Sequence, residues 1–188
     1  MTRPVIVTFV GVPGSGKTTF AKALAKELNA VLLNSDSMRI AMWGSRKDIE
    51  NAHTLTHNRA YNNKLTFGGL NYAAEQTIAA GYSVVYDCNA NKLEERQQKH
   101  DIAARHGAIS LVVRIKVPYE LSLERIQTRE DTHDQRRFTE DKAKEVLTRF
   151  MAQLEEPVLP ERVIEIPGDI DQDQQLVIFR EKFAQYAK

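Results

Sequence analysis

Five short apolar runs are spread along the chain, and longer segments with helical periodicity lie between most of them. The runs are Val5 to Val10, Val31 to Leu33, Ser83 to Tyr86, Ser110 to Val117 and Arg162 to Ile166. Short continuous apolar runs are typical of strands that are buried on both faces of a parallel sheet. We therefore predict five strands.

Amphipathic segments supply the predicted helices. Apolar residues at helical spacing predict helices over Phe20 to Leu28, about Asn71 to Ala80, Asn91 to His106, Thr139 to Leu154 and Gln172 to Ala187, with another after Pro118. Gly107 fits a left-handed C-terminal cap, and Pro157 is expected to end the helix before it. Between Met38 and Gly69 the pattern is polar and weak, so we expect helices there without defined ends.

The alternation of strands and helices predicts the fold class. Parallel strands joined by helical crossovers form one sheet with helices on both faces, which is a three-layer α/β fold. A chain of 188 residues suits one well-packed domain, and we expect a single domain over residues 1–188. Ligands of such sheets bind at the carboxyl ends of the strands, so the residues that follow each strand are the functional candidates.

Composition and charge narrow the class of protein. No apolar run is long enough to cross a membrane, residues 1–4 lack a signal-peptide pattern, and the single cysteine, Cys88, fits a reducing compartment. We therefore expect a cytoplasmic protein with no membrane partner. The net charge of +1 argues against a surface built throughout for nucleic acid. Residues 37–64 nevertheless carry five bases and two acids, which indicates either solvated surface or the border of an anionic substrate.

A glycine-rich stretch between the first strand and the first helix carries the clearest functional signal. It reads Gly11, Val12, Pro13, Gly14, Ser15, Gly16, Lys17, Thr18 and Thr19, the spacing of a phosphate-binding P-loop. The glycines let backbone N–H groups face a polyphosphate at the positive end of the helix dipole. We predict that these residues bind ATP, with Lys17 reaching its β- and γ-phosphates and Thr18 holding Mg²⁺. A glycine-rich turn without function is disfavoured because a strand precedes the loop and an amphipathic helix follows it.

The second strand is followed by Asp36 and, three residues on, Arg39. If Asp36 is the N-cap of the next helix, both side chains can face the γ-phosphate. Asp36 would then accept the proton of an attacking hydroxyl, and Arg39 would bind an anionic group of the acceptor. The alternative is a helix cap followed by an unremarkable arginine.

Asp87 follows the third strand, where an acid beside a P-loop supports Mg²⁺, often through water, and bonds the loop threonine. An ordinary helix cap is the alternative. Alternation along the strand sends the neighbouring Cys88 to the other side, where we expect inert packing.

After the fourth strand, a helix carries Arg125 and Arg129, and an irregular segment with Arg136 and Arg137 follows. Spacing of four places Arg125 and Arg129 on one helical face. We predict a lid over residues 119–140 in which Arg129 neutralises the charge of the transferred phosphoryl group, with Arg125, Arg136 and Arg137 as further candidates for this role. A solvated basic face is the competing interpretation.

Three other patterns do not develop into sites. His53 and His57 lie one turn apart, but no nearby carboxylate or thiol completes a zinc site. Residues 91–94 resemble a guanine-specificity motif but follow Asp87 too closely, and no glycine stands three residues after Asp87, so a switch GTPase is poorly supported. Trp43 serves either packing or substrate stacking.

Four stretches taken together resemble a known family. They are GVPGSGKTTFAKAL, LNSDSMR, VVYDCNAN with Arg96 beyond it, and VPYELSLERIQTR. Their order and spacing are similar to those found in P-loop kinases of the AAA_33 type, which include the kinase half of phage polynucleotide kinase, zeta toxins and chloramphenicol phosphotransferase. The resemblance covers about residues 4–150. It does not extend convincingly to the stretch from Trp43 to Phe67, so the nucleic-acid substrate of the polynucleotide kinase is not implied.

The resemblance implies a P-loop NTPase fold whose five parallel strands have the order 2-3-1-4-5. It implies that Lys17 and Thr18 carry ATP and Mg²⁺, and that Asp36 is the general base. By the same resemblance Arg39 contacts the acceptor, Arg129 is the lid arginine, and adenine lies near the lid and residues 167–169.

We therefore predict an ATP- and Mg²⁺-dependent kinase that phosphorylates a hydroxyl of a small molecule or the 5′-hydroxyl end of a nucleic acid, with residues 37–70 shaping the acceptor pocket. Three alternatives stay open. They are a nucleoside monophosphate kinase, whose acceptor needs no base, a toxin kinase acting on a cell-wall sugar nucleotide, and a regulatory module that binds ATP without transferring phosphate.

Overall fold

The computed structural model describes residues 3–55, 59–132 and 136–186, with only the backbone for residues 53–55. The His53 side chain, His57 and residues 133–135 of the predicted lid lie outside these described parts. The five strands are β1 (Val5–Val10), β2 (Val31–Asn34), β3 (Val84–Asn89), β4 (Ile109–Lys116) and β5 (Val163–Pro167). They are all parallel and have the order β2-β3-β1-β4-β5, so the predicted P-loop NTPase topology is confirmed.

Eight helices are found in the described residues. They are α1 (Lys17–Glu27), α2 (Ser35–Trp43), α3 (Arg46–Leu55), α4 (Arg59–Ala79), α5 (Leu93–Arg105), α6 (Tyr119–Thr128), α7 (Glu140–Ala152) and α8 (Gln172–Phe183). Gly107 has the expected positive φ, 64°, after α5. Pro157 does not end α7 directly, because the helix already stops at Ala152. None of these helices is both long enough and apolar enough to cross a membrane.

Helix α4 is more than twice as long as predicted. Its buried stripe repeats every four residues and consists of Asn62, Thr66, Leu70, Ala74 and Ile78. The first two members are polar, so the apolar pattern in the sequence begins only at Leu70. Thr66 is accommodated in the interior because its hydroxyl donates a hydrogen bond to the Asn62 carbonyl, 3.0 Å away, within the same helix.

The central strand β1 is buried along its whole length. On one face of the sheet, Val7 and Phe9 pack in a cluster with Phe20 of α1 and Phe179 of α8, where the Phe9 and Phe20 rings meet edge to face at 6.2 Å. On the other face, Ile6 packs with residues of α4 and α5. Because β1 is held from both sides, the loop that follows it starts from a fixed point.

We predict that the buried stripe of α4 stabilises the acceptor side of the fold. Leu70 is 1% exposed and Leu65, on the same helix, is 42% exposed. Leu70→Ala should therefore lower the free energy of unfolding by about 2–5 kcal/mol, and Leu65→Ala by less than about 1 kcal/mol. Urea denaturation followed by circular dichroism measures both, and equal losses would show that α4 is not anchored by this stripe.

Candidate active site

The loop from Gly11 to Thr19 joins β1 to α1 and forms the floor of a cleft. Gly14 and Gly16 have positive φ angles of 79° and 95°, which glycine adopts without strain. Gly16 is the N-cap of α1 and has no side chain to occupy the first amides of the helix. Those amides and the helix dipole therefore favour an anion in front of Lys17.

The Lys17 ammonium lies beneath this loop. Its Nζ donates hydrogen bonds to the carbonyl oxygens of Gly11, 2.8 Å away, and Val12, 2.7 Å away. The pKa of Lys17 is lowered to about 7, chiefly by burial; the charge of Asp87 raises it, and the charges of Arg114 and Arg129 lower it. A phosphate beside Nζ would restore the charged form, because an opposite charge raises the pKa of an ammonium.

Two polar side chains outside the loop fix its backbone, and a third braces the neighbouring turn after β5. The Asn91 Oδ1 accepts a hydrogen bond from the Gly11 N–H at 3.0 Å, and the Ser122 hydroxyl donates to the Pro13 carbonyl at 2.8 Å. Arg125 donates from Nη1 to the Gly168 carbonyl at 2.7 Å and so ties α6 to the turn after β5. Sequence reasoning missed Asn91 and Ser122. The only sequence feature that pointed to Asn91 was the partial guanine-specificity motif at residues 91–94. The contact with Gly11 shows that this asparagine instead holds the loop.

The loop is also enclosed sterically. A Cβ on Gly14 would lie 2.5 Å from the Ser122 carbonyl oxygen of α6. A Cβ on Gly168, after β5, would lie 2.7 Å from the Ser15 carbonyl oxygen. Backbone from two separate elements therefore packs directly on the loop, and neither glycine can be enlarged without displacing it.

Asp87 links the loop to the second strand. The Thr18 hydroxyl donates to its Oδ1 at 3.0 Å, and the Asn34 Nδ2 donates to its Oδ2 at 2.6 Å. Asp87 lies inside β3 and not after it, because pairing with β2 continues as far as the Asn34–Asp87 register and the strand runs on to Asn89. The position at the strand's carboxyl end, beside Thr18, is nevertheless the one predicted.

This arrangement fits Mg²⁺ bound together with a nucleotide. The Thr18 oxygen keeps lone pairs for the ion, and Asp87, 5% exposed with both oxygens already accepting hydrogen bonds, would act through water. Mg²⁺ usually takes few protein ligands and several waters and phosphate oxygens. The described residues contain no cluster of three or more His, Cys, Asp or Glu side chains that could hold a metal ion by themselves.

Asp36 is not the N-cap of α2. Asn34 takes that position, because its backbone is extended and its Oδ1 accepts from the Ser37 N–H at 2.7 Å. Asp36 lies in the first turn, where Arg39 donates to its Oδ1 at 2.9 Å. Arg39 also donates to the Asn63 Oδ1 of α4 at 3.2 Å. The predicted pair is therefore together at the cleft, with a different residue capping the helix.

Arg129 follows α6 as its C-cap residue, so it does not share a helical face with Arg125. Both arginines nevertheless line the same cleft as Lys17. The Arg129 Nε donates to the Arg136 carbonyl at 2.5 Å, and its guanidinium lies 6.0 Å from the centre of the Phe138 ring. Burial lowers the pKa of Arg129. The Arg137 Nε instead donates to the Gln127 carbonyl at 2.8 Å and braces the lid.

These groups surround a cleft of about 390 Å³, which we call the phosphate cleft. It is lined by Pro13, Gly14, Gly16, Lys17, Thr18, Thr19, Asn34, Ser35, Asp36, Asp87, Cys88, Asn89, Arg125, Thr128 and Arg129. Cys88 is 8% exposed, and burial raises the pKa of its thiol to about 12, which agrees with inert packing. Arg39 and Arg136 lie in the adjoining cleft.

Comparisons with known proteins agree with this fold. The model of the AAA_33 family, described as an AAA domain, matches residues 6–157. Kti12 of Chaetomium thermophilum in complex with ADP-AlF3 is 20% identical with a TM-score of 0.68, and the match covers 98% of each chain. The APS kinase CysC of Mycobacterium tuberculosis, in complex with AMPPNP and APS, is 17% identical with a TM-score of 0.61, over 98% of this chain and 99% of that one.

A sugar kinase of Janibacter sp. HTCC2649 is 21% identical with a TM-score of 0.64, over 98% of this chain and 94% of that one. No curated protein matches the chain. At these identities the solved structures establish the fold.

We predict that ATP binding takes up a proton at Lys17. In the protein without nucleotide the pKa of Lys17 is about 7, so the charged form that binds phosphate is lost as the pH rises above 7. Affinity for Mg·ATP should fall by about tenfold per pH unit from pH 7 until the raised pKa of the complex is reached. Calorimetry at pH 8 in buffers of different ionisation enthalpy measures the proton uptake.

Lys17→Met should abolish this uptake, whereas Lys26→Met, at an exposed site in the last turn of α1, should leave it unchanged. If the unaltered protein gave the same heat of ATP binding in all buffers, no proton would be taken up and the lowered pKa of Lys17 would be contradicted.

Packing of the turn after β5 against the loop leads to a second prediction. Gly168→Ala should lower ATP affinity by at least tenfold, because the new methyl group displaces the Ser15 carbonyl. Gly68→Ala is the matched control, since a Cβ there meets nothing within 4 Å and alanine favours the helix. Titration with a fluorescent ATP analogue measures the affinity of both variants. If Gly168→Ala bound the analogue as tightly as Gly68→Ala, the loop would accommodate the methyl group without losing its phosphate-binding geometry.

Proposed function

The chain belongs to the AAA_33 family of AAA domains, and on that premise we propose that it is an ATP- and Mg²⁺-dependent kinase that transfers the γ-phosphate to a hydroxyl group. One observation supports this most strongly: Asp36 from α2 and Arg129 from the end of α6 line the same cleft as Lys17 and Thr18. A carboxylate, a guanidinium and a phosphate loop are the groups that phosphoryl transfer to an alcohol requires.

In this proposal the loop amides and Lys17 hold the β- and γ-phosphates. Thr18, with Asp87 behind it, would hold Mg²⁺, which neutralises charge on the phosphate oxygens when it is bound. Arg129 would stabilise charge on the γ-phosphoryl oxygens. Since the Lys17 ammonium now bonds two loop carbonyls, it would exchange these for phosphate oxygens when the nucleotide binds.

Asp36 would act as the base. Its Oδ1 accepts from Arg39, whereas its Oδ2 has no hydrogen-bond donor among the described residues and can receive the hydroxyl proton. As that proton moves to Asp36, the hydroxyl oxygen forms a bond to the γ-phosphorus, the bond between this phosphorus and the β,γ-bridging oxygen breaks, and ADP leaves. Arg39 would keep Asp36 oriented toward the acceptor.

A second candidate, an ATP-binding regulatory module, is favoured by one feature. Asp36 is already paired with Arg39, and Arg129 is packed on Phe138, so both proposed catalytic groups have partners inside the protein. Such a module would bind ATP and transfer phosphate to no acceptor. A nucleoside monophosphate kinase would instead use a phosphate as acceptor and would not need Asp36.

We predict that Asp36→Asn lowers the rate of phosphotransfer to a hydroxyl by about 10²–10⁴-fold, because the amide cannot accept the proton, while ATP affinity stays within about twofold. The assay uses γ-labelled ATP with 5′-hydroxyl oligonucleotides, nucleosides, sugars and nucleoside monophosphates. Asp48→Asn, at the start of α3 and outside the phosphate cleft, is the matched control and should keep full activity.

The panel of acceptors separates the candidates. Full activity of Asp36→Asn on a hydroxyl acceptor would exclude Asp36 as the base. Transfer to nucleoside monophosphates alone would identify the nucleotide kinase, and ATP binding without transfer to any member would support the regulatory module.

A further inference from the structure

A second cleft, of about 510 Å³, adjoins the phosphate cleft and shares Pro13, Asp36 and Arg129 with it. We call it the basic cleft. Its other lining residues are Arg39, Arg46, Ile49, Glu50, Arg59, Asn63, Arg136, Phe138, Lys142, Val146, Arg149 and Phe150. Seven of the chain's 26 lysines and arginines line it, with two of its 25 acids. The lining residues that the structure describes therefore have a formal charge of +5, in a sequence whose net charge is +1.

The basic residues come from three sides. Arg39, Arg46 and Arg59 lie on α2, α3 and α4, the lid contributes Arg129 and Arg136, and α7 contributes Lys142 and Arg149. Elements that are far apart in sequence thus bring like charges together. Because like charges repel, such a concentration costs stability unless an anion offsets it.

Ion pairs within the protein offset only part of this charge. Arg39 pairs with Asp36 at 2.9 Å, Arg46 with Asp131 at 2.6 Å, and Arg136 with Glu50 at 3.6 Å. Lys142 pairs with Glu145 at 2.8 Å.

Arg59 and Arg149 differ from these residues. Across the described parts of the chain, neither arginine forms an ion pair with a carboxylate. Arg149 lies over the Phe150 ring, 5.5 Å from its centre, and its guanidinium donates no hydrogen bond to another described residue.

The floor of the basic cleft is apolar. Ile49 and Val146 are buried there, and the rings of Phe138 and Phe150 are partly exposed. A ligand with one carboxylate would be served by a single arginine. Two arginines on separate helices, α4 and α7, in a cleft that also contains aromatic rings, suit a larger molecule that carries phosphates around an apolar or heterocyclic part.

We infer that the acceptor is a phosphate-rich polyanion, with at least two phosphate groups held by Arg59 and Arg149 while its hydroxyl faces Asp36. This inference rests on the proposed function, since Asp36 is the point where the basic cleft meets the phosphate cleft. Two sources share this chemistry: a single strand of nucleic acid and a small molecule with several phosphates.

The test measures binding apart from catalysis. Its probes are a 3′-labelled octamer of deoxyadenosine with a free 5′-hydroxyl, fructose 1,6-bisphosphate, and the neutral compounds thymidine and glucose. Arg59→Ala/Arg149→Ala should weaken binding of at least one of the two phosphate-bearing probes by tenfold or more in 50 mM salt. For the octamer, the slope of log affinity against log salt should become shallower by about 1.4, since each lost phosphate contact removes about 0.7.

Lys26→Ala, an exposed lysine in α1 away from both clefts, is the control and should change neither quantity. Unchanged ATP affinity and a melting temperature that is not lowered would show that the double variant is folded. Binding of the octamer alone identifies nucleic acid as the source, and binding of the bisphosphate alone identifies a small molecule. Either result supports the inference.

The inference is overturned if the double variant binds both phosphate-bearing probes as the unaltered protein does, or if neither probe binds the unaltered protein more tightly than thymidine or glucose. Transfer assays separate this failure from that of the proposed function. If the protein phosphorylated a neutral acceptor at a rate that the Arg59→Ala/Arg149→Ala variant did not change, the kinase function would stand and the inference of a polyanionic acceptor would be wrong. Polyanion binding that depends on both arginines, without transfer to any acceptor, would retain the anion site and count against the kinase.

Discussion

The confinement of the phosphate loop is the constraint on which the rest of the structure depends. The loop leaves a strand whose six residues are all buried, and it is held by Asn91, Ser122 and the backbone around Gly168. These contacts join β1, the connection after β3, α6 and the turn after β5 at one place. A loop fixed in this way presents its amides in a single arrangement. The loss of conformational entropy on binding an anion is therefore small.

The same confinement sets the electrostatics of the site. Lys17 is buried among carbonyl oxygens, and its charge is opposed by burial and by nearby arginines. The charged form of such a lysine is unfavourable in the protein without ligand, and a ligand with several negative charges stabilises it most. Asp87 only partly compensates, because its oxygens are also committed to Thr18 and Asn34. The site is therefore poised for an anion, and a polyphosphate supplies one.

Local signals in the sequence predicted the strands, the P-loop and the presence of Asp36 and Asp87 at the cleft, because apolar runs and glycine spacing act over a few residues. They misplaced Asp36 as a helix cap and Asp87 as following its strand. Contacts between distant residues could not be predicted in this way. Ser122 lies 109 residues from the proline it bonds, and Asn91 lies 80 residues from Gly11. Asn34 was overlooked for another reason. One side chain caps α2 and also bonds Asp87, and no periodic pattern encodes such a double role.

This double role of Asn34 connects the two halves of the site. Its Nδ2 bonds the carboxylate behind Thr18, and its Oδ1 fixes the first turn of α2, which carries Asp36. The proposed base and the proposed metal site are thus positioned by one side chain. The predicted lid segment is joined to α3 by Arg46–Asp131 and Arg136–Glu50, which are partly exposed and hence weak. Because α3 borders the basic cleft, these contacts position the segment that carries Arg129 together with one side of that cleft.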